Sequence, residues 1–315
     1  MHEAAFSAYA KAGGAGICIQ KTHISAEKWQ RRSSRSAGMH FVRPAVLRII
    51  CNTAQAVNVR RETPMAATHL TVKGLVIRET PFHDADKLFD LLTENGILTV
   101  QARSVRKPGS KYAAVTQLFA YGEFCLRSSK DRYYLDSAVS LNLFYGIRTD
   151  LDALALASYL SELIRKTTSD QPQPQILRLC LLALHHLSEH DRAPEMIKAA
   201  FELRLLAELG LMPNLVCCPV CMRYDVEDPV FRIDEADVFC ASCLYVHKLH
   251  DYPATASVLQ AARHVLYAEP DRVFAFRMHG RSAAQFAGYA EKYLLYRLGG
   301  TFPALEIYKE MTAKT

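Results

Sequence analysis

Four of the nine cysteines stand in two C-x2-C pairs, Cys218-Pro-Val-Cys221 and Cys240-Ala-Ser-Cys243, with 18 residues between them. Each short turn presents two thiolates to one ion. Two such turns complete a tetrahedron around zinc, with Zn–S bonds of about 2.3 Å. The spacing falls inside the four-cysteine zinc pattern. With all four positions filled by sulfur, no position is open for water, so the chemistry is structural and not catalytic. Cys217 offers a C-x3-C register with Cys221, and His247 and His250 stand close by, so the choice between Cys217 and Cys218 stays open. The alternative is a set of buried or redox-active thiols. A redox C-x-x-C pair belongs beside a βαβ pattern, which this chain lacks. Cys18, Cys51, Cys125 and Cys180 are scattered. An odd, clustered cysteine set suits a reducing cytoplasm better than a secreted disulfide framework.

A second group is cationic and aromatic. Arg103, Arg106, Lys107 and Lys111 surround one loop, and Arg127, Lys130 and Arg132 the next turn, with Tyr112, Tyr121, Tyr133 and Tyr134 among them. Single-strand nucleic-acid binders combine a basic groove with aromatic platforms. Residues 65–146 nevertheless hold ten basic and eight acidic side chains, so for any one of them a solvated surface is the simpler role. As a group they are the best electrostatic footprint in the chain. Other candidates are weaker. Cys180 lies on an apolar stretch and reads as core, and His186 and His190 are spaced i, i+4 but lack a third ligand. Gly14 to Thr22 departs from a phosphate loop at Gln20, where glycine is required. No Ser-His-Asp set, carboxylate pair or nucleophile elbow is present, so an enzyme is not expected.

The elements that must position these groups follow from periodicity. Leu70 to Ile77 alternates with period 2, and Gly74 marks a bulge or bend. Leu88–Thr93 and Ile97–Arg103 flank Glu94-Asn95-Gly96, a hairpin signal. Leu118–Leu126 and Tyr133–Leu141 alternate in turn. Five short strands in succession suit an open sheet or a small closed barrel, and the OB-fold is one such barrel. After Gly146 the period becomes 3.6. Leu156, Leu160, Leu163 and Ile164 form one stripe, and Ile176–Leu187 is apolar nearly all round, which predicts a buried central helix. A third helix starts at Pro194 and ends before Gly210, a fourth carries Val258 to Leu266, and a fifth opens with a Ser282/Gln285 capping box.

The 315 residues suffice for about two domains. No apolar run approaches the ~18 residues of a membrane span. The formal charge of +6 is carried by one end: residues 1–64 hold ten Lys/Arg against three Glu, while the remainder sums to −1. A nucleic-acid role therefore cannot rest on net charge. Residues 1–64 lack either period. They read as a start assigned upstream of Met65, a solvated basic tail, or a targeting segment.

The order of features resembles the bacterial RecO family of DNA repair proteins. The resemblance rests on Thr71-Val-Lys-Gly-Leu-Val-Ile-Arg78, on Asp84-Ala-Asp86-Lys87-Leu and Leu-Thr93-Glu-Asn-Gly96, and on Phe201-Glu-Leu-Arg204-Leu-Leu-Ala-Glu-Leu-Gly210-Leu-Met-Pro213 leading into the cysteine pairs. It covers residues 65 to the C-terminus. It implies an α+β protein: a five-stranded OB barrel (65–146), then a helical domain (147–315) with an inserted zinc finger at 217–245, and a 1–64 extension outside the family pattern. The implied function is recombination mediation: binding single- and double-stranded DNA, annealing complementary strands, and with RecR helping to load RecA onto DNA coated by single-strand-binding protein. The implied contact with that protein is its C-terminal tail, met by the helical domain, and the implied setting is the cytoplasm at the nucleoid. One zinc ion on Cys218, Cys221, Cys240 and Cys243 is the implied cofactor. Competing readings are a zinc-bearing protein adaptor and an RNA-binding OB protein, the latter marked by 2′-OH preference.

Overall fold

The computed structural model describes residues 68–129, 132–168 and 172–313. The expectations for residues 1–64 and for Lys130 lie outside these residues. All described elements belong to one compact unit, Pro64–Thr315.

Strands β1 (Thr68–Phe82), β2 (Asp86–Thr93), β3 (Gly96–Ala102), β4 (Tyr121–Ser129) and β5 (Arg132–Asn142) close into a barrel in the order β1-β2-β3-β5-β4. Every pairing is antiparallel except β3 with β5, which meet through Val100↔Tyr133 and Gln101↔Tyr134. This is the small Greek-key barrel that the strand count allowed. Val76, Phe89, Leu91, Val100, Phe124 and Leu126 fill its interior. Gly74 is not the bulge. The register shift falls at Val76/Arg78, and Gly74 is instead a point of close approach, where a Cβ would stand 2.6 Å from Leu91 Cγ. The fourth strand starts at Tyr121, later than its alternation suggested, because Phe119 adopts a left-handed φ of 62° and donates its N–H to the Val76 carbonyl, while the Val76 N–H donates to the Ala120 carbonyl.

The outer face of the barrel is closed by helices. Leu75, Ile77, Leu92 and Phe119 belong to the same apolar cluster as α2 (Leu151–Thr167) and α3 (Pro174–Glu189). The joint is made by α1 (Tyr145–Thr149), where a Cβ on Gly146 would overlap the Ser188 carbonyl, so only glycine fits. Asp150 then caps α2 by accepting from the N–H groups of Asp152 and Ala153.

The buried centre of the helical part is α4 (Pro194–Glu208), not the apolar α3. It packs against α2, α3, α5 (Ala256–Tyr267) and α6 (Gly280–Leu298), whereas α3 turns Arg178 and His185 to solvent. Charges concealed this from the sequence. Lys198 and Glu202 of α4 are both buried and neutralise each other: Lys198 Nζ lies 2.8 Å from Glu202 and 2.8 Å from Glu291, and Tyr159 Oη donates to Glu202 at 2.7 Å. Burial pushes the Glu202 carboxyl above its usual range. A last helix, α7 (Pro303–Thr312), packs on α2. The predicted capping box does not form. Helix α6 begins at Gly280, two residues before Ser282, whose hydroxyl bonds Ser257 instead. Among the described residues no helix is long and apolar enough to cross a membrane.

Candidate nucleic-acid interface and metal centre

One end of the barrel gathers the cationic and aromatic side chains. Arg127 and Tyr134 are cross-strand partners on β4 and β5, and Tyr134 is also paired with Gln101 of β3, two residues before Arg103. The Arg103 and Arg127 guanidinium groups accordingly lie 5.0 and 5.1 Å from the centre of the Tyr134 ring. The cations hold the ring in place and leave it only partly covered. Asp86, at the start of β2, fixes the segment that follows β3. The Ser104 backbone N–H donates to it at 2.8 Å and Gln101 at 3.0 Å, and the Ser104 bond foremost holds its carboxyl below the usual range.

The remaining expected residues are spread more widely. Arg106 reaches the carbonyls of His83 and Asp84 in the β1–β2 loop at 3.4 and 3.5 Å. Lys107 is exposed, and Lys111 lies 4.8 Å from the Tyr112 ring. Arg132 is exposed at the β4–β5 turn. Among the described residues, Arg127 alone of these is ion-paired, to Asp136 at 3.5 Å. The tyrosines separate by role. Tyr134 is the platform, Tyr133 and Tyr112 pack against the barrel core, and Tyr121 packs against the helices. A further cleft, on the barrel wall, is lined by Leu70, Val72, Ile97, Leu98 and Tyr133.

The two C-x2-C turns meet in the helical part. The sulfur atoms of Cys218, Cys221, Cys240 and Cys243 all lie within 4.8 Å of one another, and Cys221 Sγ is 3.6 Å from Cys240 Sγ. A tetrahedron with bonds of about 2.3 Å has edges of about 3.8 Å, so these donors fit one four-coordinate ion. The group contains Cys218 and not Cys217, and neither His247 nor His250 belongs to it. The first turn is knit by Met222 N–H to Cys218 O at 2.8 Å and Cys218 N–H to Arg223 O at 3.1 Å. Burial alone would raise the Cys218 thiol, but the backbone N–H groups of Cys221, Cys240 and Val220 outweigh it and bring it down to about 6. Burial, with Cys221 beside it, pushes Cys240 up to about 12.

A three-stranded sheet carries the second turn. Strands β6 (Pro229–Arg232), β7 (Asp237–Cys240) and β8 (Asp251–Pro253) run in the order β7-β6-β8, so the module extends to Pro253. It is not a free-standing knuckle. Cys218, Phe231, Val238 and Cys240 share one apolar cluster with the helices, and Phe231 stacks on Tyr289 of α6 at 4.0 Å.

Two buried arginines that sequence reasoning missed brace this module. Arg232 of β6 donates to Asp251 at 2.8 Å and to the Val246 carbonyl at 2.7 Å. Arg263 of α5 donates to the carbonyls of Leu215, Val216 and Tyr224 at 2.7, 2.9 and 2.8 Å. No local pattern marks either one, because the partners, a carboxylate and a carbonyl for Arg232 and three carbonyls for Arg263, lie far away in sequence. The i, i+4 histidines belong to no cluster of three or more metal donors among the described residues: His186 bonds Asp191 and His190 faces Asp150.

A closed five-stranded barrel with a cation-flanked aromatic platform, joined to a helical bundle that encloses a four-cysteine site, defines a class of protein: an OB-barrel module with a metal-site helical domain. The family models agree on both halves. Residues 65–144 match the N-terminal domain of recombination protein O, and residues 148–306 match its C-terminal domain. The chain belongs to the RecO family of DNA repair proteins. It is 27% identical over 245 residues to the DNA repair protein RecO of Acetivibrio thermocellus, covering 77% of this chain and 97% of that one. It is 32% identical over 235 residues to that of Symbiobacterium thermophilum, covering 72% and 91%. Against that of Bacillus subtilis the identity is 33% over 192 residues, covering 60% and 74%.

Proposed function

We propose that this protein is a recombination mediator without catalytic chemistry, which binds single- and double-stranded DNA and anneals complementary strands. The observation that carries this reading is the Arg103–Tyr134–Arg127 cluster at the loop end of a RecO-family barrel. Annealing requires only that phosphate repulsion be neutralised while bases remain free to pair. Exposed Arg and Lys supply the first, through backbone contacts that carry no sequence information. The tyrosine supplies a face on which any base can stack. Arg106, Lys107, Lys111 and Arg132 extend the path around the same loops, and Lys130, outside the described residues, is proposed with them from its place in the sequence.

Within this reading Cys218, Cys221, Cys240 and Cys243 hold one zinc ion, whose contribution is structural. RecR, RecA and single-strand-binding protein are the proposed partners. A cleft lined by Met196, Phe276 and Met278 beside Arg277, His279 and the Arg192–Asp191 pair is the proposed place on the helical domain for the C-terminal tail of single-strand-binding protein. The proposed setting is the nucleoid.

The test follows duplex formation from two complementary oligonucleotides, one coated with single-strand-binding protein, without ATP at low and moderate salt. Salt-sensitive acceleration by the full chain, lowered by the pair Arg106→Glu and Lys107→Glu with zinc content unchanged, is the expected outcome. Absence of acceleration by folded, zinc-loaded protein overturns the mediator reading. The adaptor reading would then stand, favoured by Tyr245 and Leu249, which are 88% and 93% exposed.

A further inference from the structure

The segment that enters the metal module is held from outside it. Leu211, which follows α4, has its carbonyl bonded by Tyr293 of α6 at 2.9 Å. Four residues on, the Arg263 guanidinium takes over. Its Nε donates to Leu215 O, and its Nη2 donates to both Val216 O and Tyr224 O. Val216 and Tyr224 lie on either side of the first cysteine turn. One planar cation therefore ties together the two ends of the loop that carries Cys218 and Cys221. The Tyr224 ring closes over it, with the guanidinium carbon 4.0 Å from the ring centre. Arg263 is 5% exposed, and its hydrogen-bond partners among the described residues are carbonyls, with no carboxylate. A buried arginine compensated only by carbonyls and a ring is costly to maintain unless its geometry is required.

The geometry points to Arg263 as a positioning residue for the metal site: it holds the first cysteine turn closed and couples occupancy of the four-thiolate site to helix α5. Arg263 touches no metal ligand's side chain in this role. It acts through the backbone on which Cys218 and Cys221 are mounted. A guanidinium suits this because its fork is rigid and always charged, so three carbonyls can be fixed at once. Lysine offers one nitrogen on a flexible stem. Residues that orient metal ligands from outside typically change metal affinity by about 10–100-fold when removed. Coupling is reciprocal: if Arg263 favours the closed turn, metal binding must in return stabilise the α5 contact.

The inference rests on the zinc reading above, and the experiment separates the two. Zinc affinity is measured on the full chain by equilibrium competition with a chromogenic chelator, for the wild type, Arg263→Met, Arg263→Lys and a control, Leu160→Ala. Leu160 is fully buried in α2, away from the module, so its truncation lowers overall stability without touching the turn. Arg263→Met is expected to bind zinc about 10–100-fold more weakly, with Arg263→Lys in between and Leu160→Ala close to wild type. Equal affinity in Arg263→Met and wild type overturns the positioning role, as does an equal loss in Leu160→Ala. A wild-type chain that binds no zinc overturns the zinc reading instead. Should Arg263→Met not fold, hydrogen exchange of the unaltered chain decides. Removing the metal is expected to deprotect residues 215–224 together with α5 while α2 and α3 keep their protection; unchanged protection of α5 overturns the coupling.

Discussion

The barrel end and the cysteine module invert what their sequences advertise. The module has the most conspicuous motif in the chain, yet residues 217–253 hold three basic against seven acidic side chains, a net −4. Its two buried cysteines sit in the helical core, and its buried arginine, Arg232, is committed to Asp251 and to the Val246 carbonyl. An acidic, internally braced module is a poor reader of phosphate. The barrel end has no motif at all, only cations at irregular spacing. There the fold brings two guanidinium groups onto one half-buried tyrosine, beside Lys107 and Arg132, for which no ion pair is found among the described residues. A recognisable metal pattern marks where structure is fixed. In the function proposed above, the cations around this aromatic face are where a polyanion would be met.

The hardest test of this contrast removes the metal site. Structural zinc contributes an apparent binding free energy of about 10–16 kcal/mol in small zinc modules. Cys240→Ser should therefore abolish stoichiometric zinc, seen by metal analysis, and lower the melting temperature markedly. Single-strand affinity of the folded protein should stay within about threefold, since the barrel has its own core. A parallel loss of DNA affinity would break the comparison.

Next in size is the ion network of α4. Lys198→Met leaves Glu202, which is 0% exposed, without its cation, and removing one partner of a buried pair costs about 3–5 kcal/mol. Without Lys198 the folded-state pKa of Glu202 rises further above its unfolded value. Its ionisation then opposes folding as pH rises through that window. The deficit in urea unfolding free energy should therefore be larger at pH 8 than at pH 5. A pH-independent deficit would show that Glu202 is not carrying the charge.

Smaller effects sharpen the barrel side. Tyr134→Ala should weaken single-strand binding by about 1–3 kcal/mol, the value of one stacked base, with little change in salt dependence. Arg103→Glu with Arg127→Glu should instead lower the slope of log affinity against log salt by about 1.4, at about 0.7 per phosphate contact on single strands. If Tyr134→Ala alters the slope and the arginine pair does not, the division between stacking and phosphate contact is wrong.

Much of this was legible in one dimension because it depends on local chemistry. Alternation gave the five strands, since a strand with one buried face must repeat every second residue. The spacing of two thiols around a tight turn is local too, so the metal donors could be read before any packing was known. Residues 103–111 could be nominated as a cationic loop for the same reason. What needed three dimensions is long-range. Parallel pairing of β3 with β5 decides that Tyr134, and not its neighbour Tyr133, lies between Arg103 and Arg127. Four sulfurs converging, with Cys218 inside the group and Cys217 outside, is a matter of turn geometry between distant segments. The centre of the helical part went to a helix with charges in its middle, because Lys198 finds Glu202 one turn away and Glu291 on α6. Arg263 braces carbonyls about forty residues upstream. Periodicity reports which face of an element is apolar, whereas a buried charge is tolerated only when a partner arrives from elsewhere, and that only the folded chain decides.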